Sequence, residues 1–236
     1  MSFTWHEIHE QLLRTSSTLD LQHHFRAIRR SKEPLRRFAD PAGLLDALHR
    51  GAASPDEKNR QLTALVEVAQ SDLAEADCAL TLTLLALWPG LDAVFRRARW
   101  RRLGDAEHLT SEVLARATEA IRCLDLRRVN RIAATTLLNI ERDLVRARQK
   151  EVGHVAMSSE IDPDEIPGDR DGIAPQRLHD EIGRLIGRDA DLVCLVAVAG
   201  FTQAEVAVEL SLSEAAARKR YQRAIGRLRE ATREHV

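Results

Sequence analysis

Apolar residues in this chain recur mostly at spacings of three and four, the period of one helix face, and alternating apolar–polar runs are scarce. The expected fold class is all-α: two helical domains joined by an acidic flexible linker, with a helix-turn-helix in the C-terminal domain. The pattern predicts a short helix over residues 5–13, a mixed basic stretch over 25–37 and a helix near 44–49. Ser54, Pro55 and Glu57 combine a cap, a first-turn Pro and a first-turn acid, so a helix should start there and run to about Gln70. A more apolar helix covers about 74–87. Pro89 and Gly90 are expected to break it, with a new helix from Leu91 carrying Arg96, Arg97, Arg99, Arg101 and Arg102 to a stop at Gly104. Asp105 opens a helix to about Leu124, and a long helix follows from about Arg128 to Lys150. Gly, Pro and acid crowd 151–175, which is too polar to bury a core, and four helices are expected from Gln176 onward. The expected divisions are 1–76, an N-terminal helical extension; 77–150, a helical domain; 151–175, the linker; and 176–236, the C-terminal domain.

The most specific local pattern lies in residues 202–230. Thr202 and Glu205 fit a capping box. Val206 and Leu210 form an apolar pair, and Ala204 and Ala207 are small enough to admit a close helix crossing. Ser211, Leu212 and Ser213 make the turn; Leu212 is placed to plug the angle between helices and Ser213 to cap the second. Turns of this type usually contain Gly, and a left-handed backbone at Ser211 would cost about 1 kcal/mol. In the second helix Ala217, Tyr221, Ala224 and Leu228 share one face, while Arg218, Lys219, Gln222 and Arg223 fall opposite. Arg pairs with guanine, Gln with adenine, and Lys and Arg grip phosphates. A helix held from behind with such an outer face suits the major groove of DNA.

Composition changes this picture little: 44% apolar and 30% charged residues suit a soluble globular chain. The formal net charge of −1 does not by itself announce nucleic acid, but acids crowd 160–171 and bases crowd the last helix. Cys78, Cys123 and Cys194 are far apart in apolar helical settings and are expected to be buried free thiols, as suits a reducing cytoplasm. No cofactor or metal is expected. His23 and His24 are adjacent and so point to different sides of a helix, and no Gly-rich phosphate loop, Cys-x-x-Cys pair or His-Glu-x-x-His run is present. No catalytic residue emerges, so the chain does not read as an enzyme. The longest apolar run, near 78–88, contains Thr81 and Thr83 and stops at Pro89, so no membrane span is expected; nor is there a signal-peptide pattern.

The run DAEHLTSEVLARATEAI, residues 105–121, resembles the AED-L-x-Q-E-x-F-x-x-A helix of sigma-70 family factors, with Ala106, Glu107, Leu109, Glu112, Val113 and Ala117 in register. NIERDLVR, residues 139–146, resembles that family's N-x-x-x-D-x-x-R segment through Asn139, Asp143 and Arg146. DADLVCLVAVAGFTQAEVAVEL and the trailing RAIGRLRE are similar to its C-terminal domain. The order and spacing resemble the extracytoplasmic-function (ECF) type of RNA polymerase sigma factor over about 78–150 and 176–233.

The resemblance implies a function in which the chain binds core RNA polymerase and directs it to promoter DNA for transcription initiation. It implies a region 2-like domain over 77–150 that meets the clamp of the beta-prime subunit through Glu107, His108, Ser111 and Glu112. Arg127, Arg128, Arg131, Asn139, Arg142 and Arg146 would approach the minus-ten element. It implies a region 4-like domain over 176–236, near the beta flap, in which Ala216, Arg218, Lys219, Gln222 and Arg223 face the minus-thirty-five element. The linker would thread toward the polymerase cleft, and an anti-sigma factor is a further partner the resemblance allows. The chain departs from the family pattern at His108 and Ser111, where Asp and Gln are common, and at Ile132-Ala133, where Trp-Leu is usual. The loop after Leu124 is short and lacks an aromatic. The alternative is a helix-turn-helix transcription regulator that binds an operator as a dimer without polymerase as its platform.

Overall fold

Short polar caps, more than long-range pattern, decide where the helices begin. A computed structural model describes residues 4–158, 175–199 and 201–233, with side chains described for 4–150, 178–199 and 201–231. Most of the expected linker, 159–174, lies outside the described residues. The fold is all-α, and no strand occurs among the described residues. The chain divides into two compact units, Met1–Phe95 with Ala106–His154 and Arg96–Asp105 with Val155–Val236.

The first unit contains α1 (Trp5–Ser16), α2 (Leu19–Ser31), a 3-10 turn (Glu33–Leu35), α3 (Pro41–His49), α4 (Pro55–Ala69), most of α5 (Ala76–Trp100), α6 (Ala106–Cys123) and α7 (Ile132–Ser158). It runs through both 1–76 and 77–150, which the sequence pattern set apart. Thr4 and Glu7 form a capping box on α1, Thr18 caps α2 and Asp40 caps α3. Ser54 accepts the Glu57 N–H at 3.2 Å and so caps α4. The basic stretch 25–37 is largely structural. Arg29 donates to the Phe38 and Ala39 carbonyls, while Lys32 and Arg37 pair with Glu67 and Glu57 of α4.

Helix α5 corrects the expected break at Pro89 and Gly90. A Pro inside a helix removes one hydrogen bond and crowds the preceding turn. Burial of Leu85, Leu87, Trp88, Leu91 and Val94 holds the helix continuous in spite of that. Gly90 also has a packing role: a Cβ there would stand 2.2 Å from Cδ1 of Leu137 on α7. The helix ends at Trp100 and is closed by Arg102, not by Gly104. Arg102 takes a left-handed φ of 52°, the Leu103 N–H bonds the Ala98 carbonyl and the Arg102 N–H bonds that of Arg99. By length and composition α5 could cross a membrane, yet 67% of its most apolar window is buried inside the protein.

Helix α4 fixes both sides of the α6–α7 connection. Gln70 Nε2 donates to the carbonyls of Ile121 and Leu124 at 2.8 and 2.9 Å, satisfying the end of α6. Asn59 Oδ1 accepts the Ile132 N–H at 2.9 Å, and its Nδ2 donates to the Asn130 carbonyl at 3.1 Å. Asn59 thus caps α7 from another helix and orders the cationic turn before it. Asn59→Ala is expected to destabilise the first unit by about 1–2 kcal/mol. Urea unfolding should show a lower midpoint with an unchanged m value.

Candidate nucleic-acid interface

The second unit places a cationic helix on a small core. It contains α8 (Pro175–Ile186), a 3-10 turn (Gly187–Asp189), α9 (Ala190–Val193) continuing as a π turn (Cys194–Val198), α10 (Gln203–Glu209) and α11 (Glu214–Arg233), together with 96–105. Leu192, Leu195, Ala199, Phe201, Val206, Ala207 and Ala217 form one buried cluster. Ile182, Ile186, Ala190, Val193, Cys194 and Ala224 form another. Trp100 and Tyr221 pack against both.

Thr202 and Glu205 make the capping box of α10: Glu205 Oε2 accepts the Thr202 N–H at 2.7 Å, and Thr202 Oγ1 accepts the Glu205 N–H at 3.2 Å. Burial pushes the Glu205 pKa up, but the Thr202 hydrogen bonds and the charges of Arg97 and Arg101 prevail and leave it below the usual value. At the end of α10, Ser211 adopts φ 53°. The Leu212 N–H bonds the Ala207 carbonyl at 2.7 Å and the Ser211 N–H bonds that of Val208 at 3.1 Å, which closes the turn. The hydrogen bonds and the partly buried Leu212 hold a Ser where Gly would be unstrained. Ser213 Oγ then accepts the Ala216 N–H at 3.2 Å. Ala204 is exposed, unlike the close-crossing position expected for it; of the two small residues only Ala207 is buried.

On α11, Ala217 and Ala224 are fully buried and Tyr221 and Leu228 partly so. Arg218, Lys219, Gln222 and Arg223 are all exposed on the far side, with Ala216 half-buried at its edge. Arg218 pairs with Glu214 at 2.9 Å, and Arg223 Nε donates to the Lys219 carbonyl at 3.3 Å. Two other arginines of this helix are structural. Arg220 donates to Asp189 Oδ1 through Nε at 3.0 Å and Nη2 at 2.8 Å, and Arg227 bonds Asp189 Oδ2. Asp189, Arg220, Arg223, Gly226, Arg227 and Glu230 line a shallow open groove beside that pair. Burial opposes ionisation of Asp189, but the Arg220 and Arg227 bonds and charges outweigh it and depress its pKa.

In the first unit, Asn139, Arg142 and Arg146 are exposed within one quadrant of α7, beside the buried stripe of Ile132, Thr136, Ile140 and Leu144. Arg146 lies 3.6 Å from Asp143. Arg127, Arg128 and Arg131 are exposed in the turn before α7; Asp125 accepts the Arg127 N–H at 3.0 Å and pairs with Arg128 at 3.3 Å. Glu107, His108 and Ser111 share the exposed face of α6, whose inner stripe is Leu109, Val113, Ala117 and Ile121. Glu112 stands apart, half-buried, with its carboxylate taken by Arg116 at 2.7 Å. Cys78 and Cys194 are buried, and burial raises their thiols to about 12 and about 11. Cys123, expected to be buried, is exposed because it lies two positions past Ile121, on the other side of α6. No group of three His, Cys, Asp or Glu among the described residues is arranged to hold a metal ion.

Comparison with protein-family models, curated proteins and solved structures returns no match for this chain.

Sequence reading missed Trp100, Asp189 and the seating of Arg97 and Arg101 over Phe201, at 5.9 and 4.8 Å from the ring centroid. The aromatic in RRARWRR was a usable signal: a Trp inside an arginine run argues for one face that docks. Asp189→Asn should lower the thermal stability of the second unit near neutral pH. A carboxylate with a depressed folded pKa stabilises above its unfolded value of 3.8 and loses that contribution as pH falls through the folded value. The wild-type and Asn proteins should therefore converge in melting temperature on acidification from about pH 7 to about pH 3.

Proposed function

We propose that the α10–α11 pair is a helix-turn-helix and that the chain is a promoter-specificity subunit of bacterial RNA polymerase of the sigma-70, extracytoplasmic-function type. One observation carries the reading. The inner stripe of α11 is buried and its turn is closed by backbone hydrogen bonds, while Arg218, Lys219, Gln222 and Arg223 lie together on the open face. A fixed helix with two guanidinium groups, an ammonium and an amide on one side has the donors that read base edges and grip phosphates.

The first unit supports the polymerase half of the reading. Arg142 and Arg146 are the cations of an exposed track on α7, with the neutral amide of Asn139 beside them, and the α4 bonds hold the arginine-bearing turn before it. Unpaired DNA needs cations along its backbone and a surface for bases. In this proposal Glu107, His108 and Ser111 face the polymerase clamp, and Glu112 orders Arg116 within α6. The arrangement is two DNA-contacting units on one chain, with core polymerase as the platform that makes both contacts productive.

The test is co-migration of the full chain with bacterial core polymerase on size exclusion, followed by promoter-directed transcription. Co-migration is expected. Arg218→Ala and Arg223→Ala should each weaken promoter output by roughly 1–3 kcal/mol where the side chain meets a base. Failure to bind core polymerase, together with tight palindrome-specific DNA binding by the free chain, would replace this reading with an operator-binding regulator.

A further inference from the structure

The second unit has another cationic element. Residues 96–105, the end of α5 and its stop, belong to this unit, and this short arm carries Arg96, Arg97, Arg99, Arg101 and Arg102 against one acid, Asp105. Trp100 anchors it by packing against both core clusters, 6.4 Å from the His179 ring centroid. The left-handed Arg102 and its two backbone bonds fix where the arm ends. Arg97 and Arg101, one helical turn apart, both lie over Phe201, the residue before the Thr202 cap. Phe201 itself is buried, so its ring is a fixed seat. Glu205 feels both guanidinium charges, and its Oε2 accepts both the amide and hydroxyl of Thr202.

We propose that Arg97 and Arg101 form a backbone clamp for duplex DNA, gripping phosphates on the strand alongside the groove that α11 enters. The inference rests on the duplex reading proposed for α11 and adds a second contact to it. In a helix-turn-helix the first helix crosses the sugar-phosphate backbone while the second enters the major groove. Phe201 precedes the Thr202 cap of that first helix, so in this proposal the two guanidinium groups over its ring are the ones that meet the passing phosphates. Cation–π seating restricts both side chains before DNA arrives, which lowers the ordering cost of binding. Arg is suited to the task because its planar donors match two phosphate oxygens at once. The clamp reads no sequence; it sets register and strength, and α11 supplies preference.

The experiment measures binding of the full chain to a mixed-sequence DNA duplex by fluorescence anisotropy across a salt series. Each phosphate contact contributes about one to the slope of log affinity against log salt. Arg97→Gln with Arg101→Gln should make the slope shallower by about two, and Arg97→Lys with Arg101→Lys should stay near wild type. Arg101→Gln alone, at the more exposed position, should lose about one and serves if the double Gln variant does not fold. Circular dichroism melts check folding in each case. An unchanged slope in folded Gln variants, with binding lost in Arg218→Ala plus Arg223→Ala, overturns the clamp and leaves the α11 reading in place. A reduced slope in the Gln variants, with full binding in the α11 variant, keeps the clamp and removes α11 as the reader. No binding of the wild-type chain to duplex at any salt overturns both.

Discussion

The burial of Ala217 and Ala224 is the constraint on which the C-terminal unit depends. Both side chains are inaccessible to solvent, and they lie on the face of α11 that crosses α10 and α9. A larger side chain at either position would push the helices apart, since packed interiors tolerate little added volume. With that face fixed, the rotational setting of α11 leaves no freedom: Arg218, Lys219, Gln222 and Arg223 must face outward. The outward face of this helix is therefore set first by the smallest residues on it, and only then by the charged ones.

The arginines of the unit divide by what they touch. Arg220 and Arg227 share one carboxylate, Asp189, whose side chain is only 15% exposed, and so tie the 3-10 turn after α8 to α11. Such a pair offsets its own desolvation through several hydrogen bonds, and loss of the acid leaves two cations pressed together. Arg218, in contrast, pairs with Glu214 on the open surface, where an ion pair contributes little. Charge counts along the helix do not separate these roles. Position relative to the buried stripe does.

Local chemistry in the sequence predicted what local chemistry decides. Ser54 with Glu57 and Thr202 with Glu205 marked helix starts because a cap needs only residues three apart, and the Ala217–Leu228 stripe marked the inner face because helical periodicity is fixed. Ser211 was legible as a strained turn for the same reason, and its φ of 53° shows the strain accepted. Pro89 and Gly90 misled because their local preference for a break is overridden by burial of the residues around them, and Gly90 is required by Leu137 of α7, 47 positions away and outside any local window. Trp100, Asp189 and Asn59 were missed likewise: each acts through a partner distant in the chain. The candidate site was thus readable where one helix face carries it and unreadable where two elements meet.

The N-terminal residues answer a different physical question, how α5 is kept in a folded protein at all. A helix this long and apolar needs cover on several faces. Along its first turns Cys78 reaches the Leu21 carbonyl of α2, at 3.6 Å. At its middle His49 of α3 bonds the Ala86 carbonyl, at 3.1 Å. Farther on, Trp5 of α1 stacks on Trp88 and Phe95 at 4.5 and 4.6 Å, and its indole N–H donates to Asp92 at 3.0 Å. His9 lies flat on Trp88 as well, and burial, with His6 and His49 nearby, holds it below the usual histidine range. The three N-terminal helices and α5 therefore need each other: without them α5 would expose an apolar stripe, and without α5 the short helices would have little to bury. That mutual requirement, together with the α4 bonds to the α6–α7 connection, makes the first residues part of the scaffold that presents Arg127 to Arg146, and not an appendage to it.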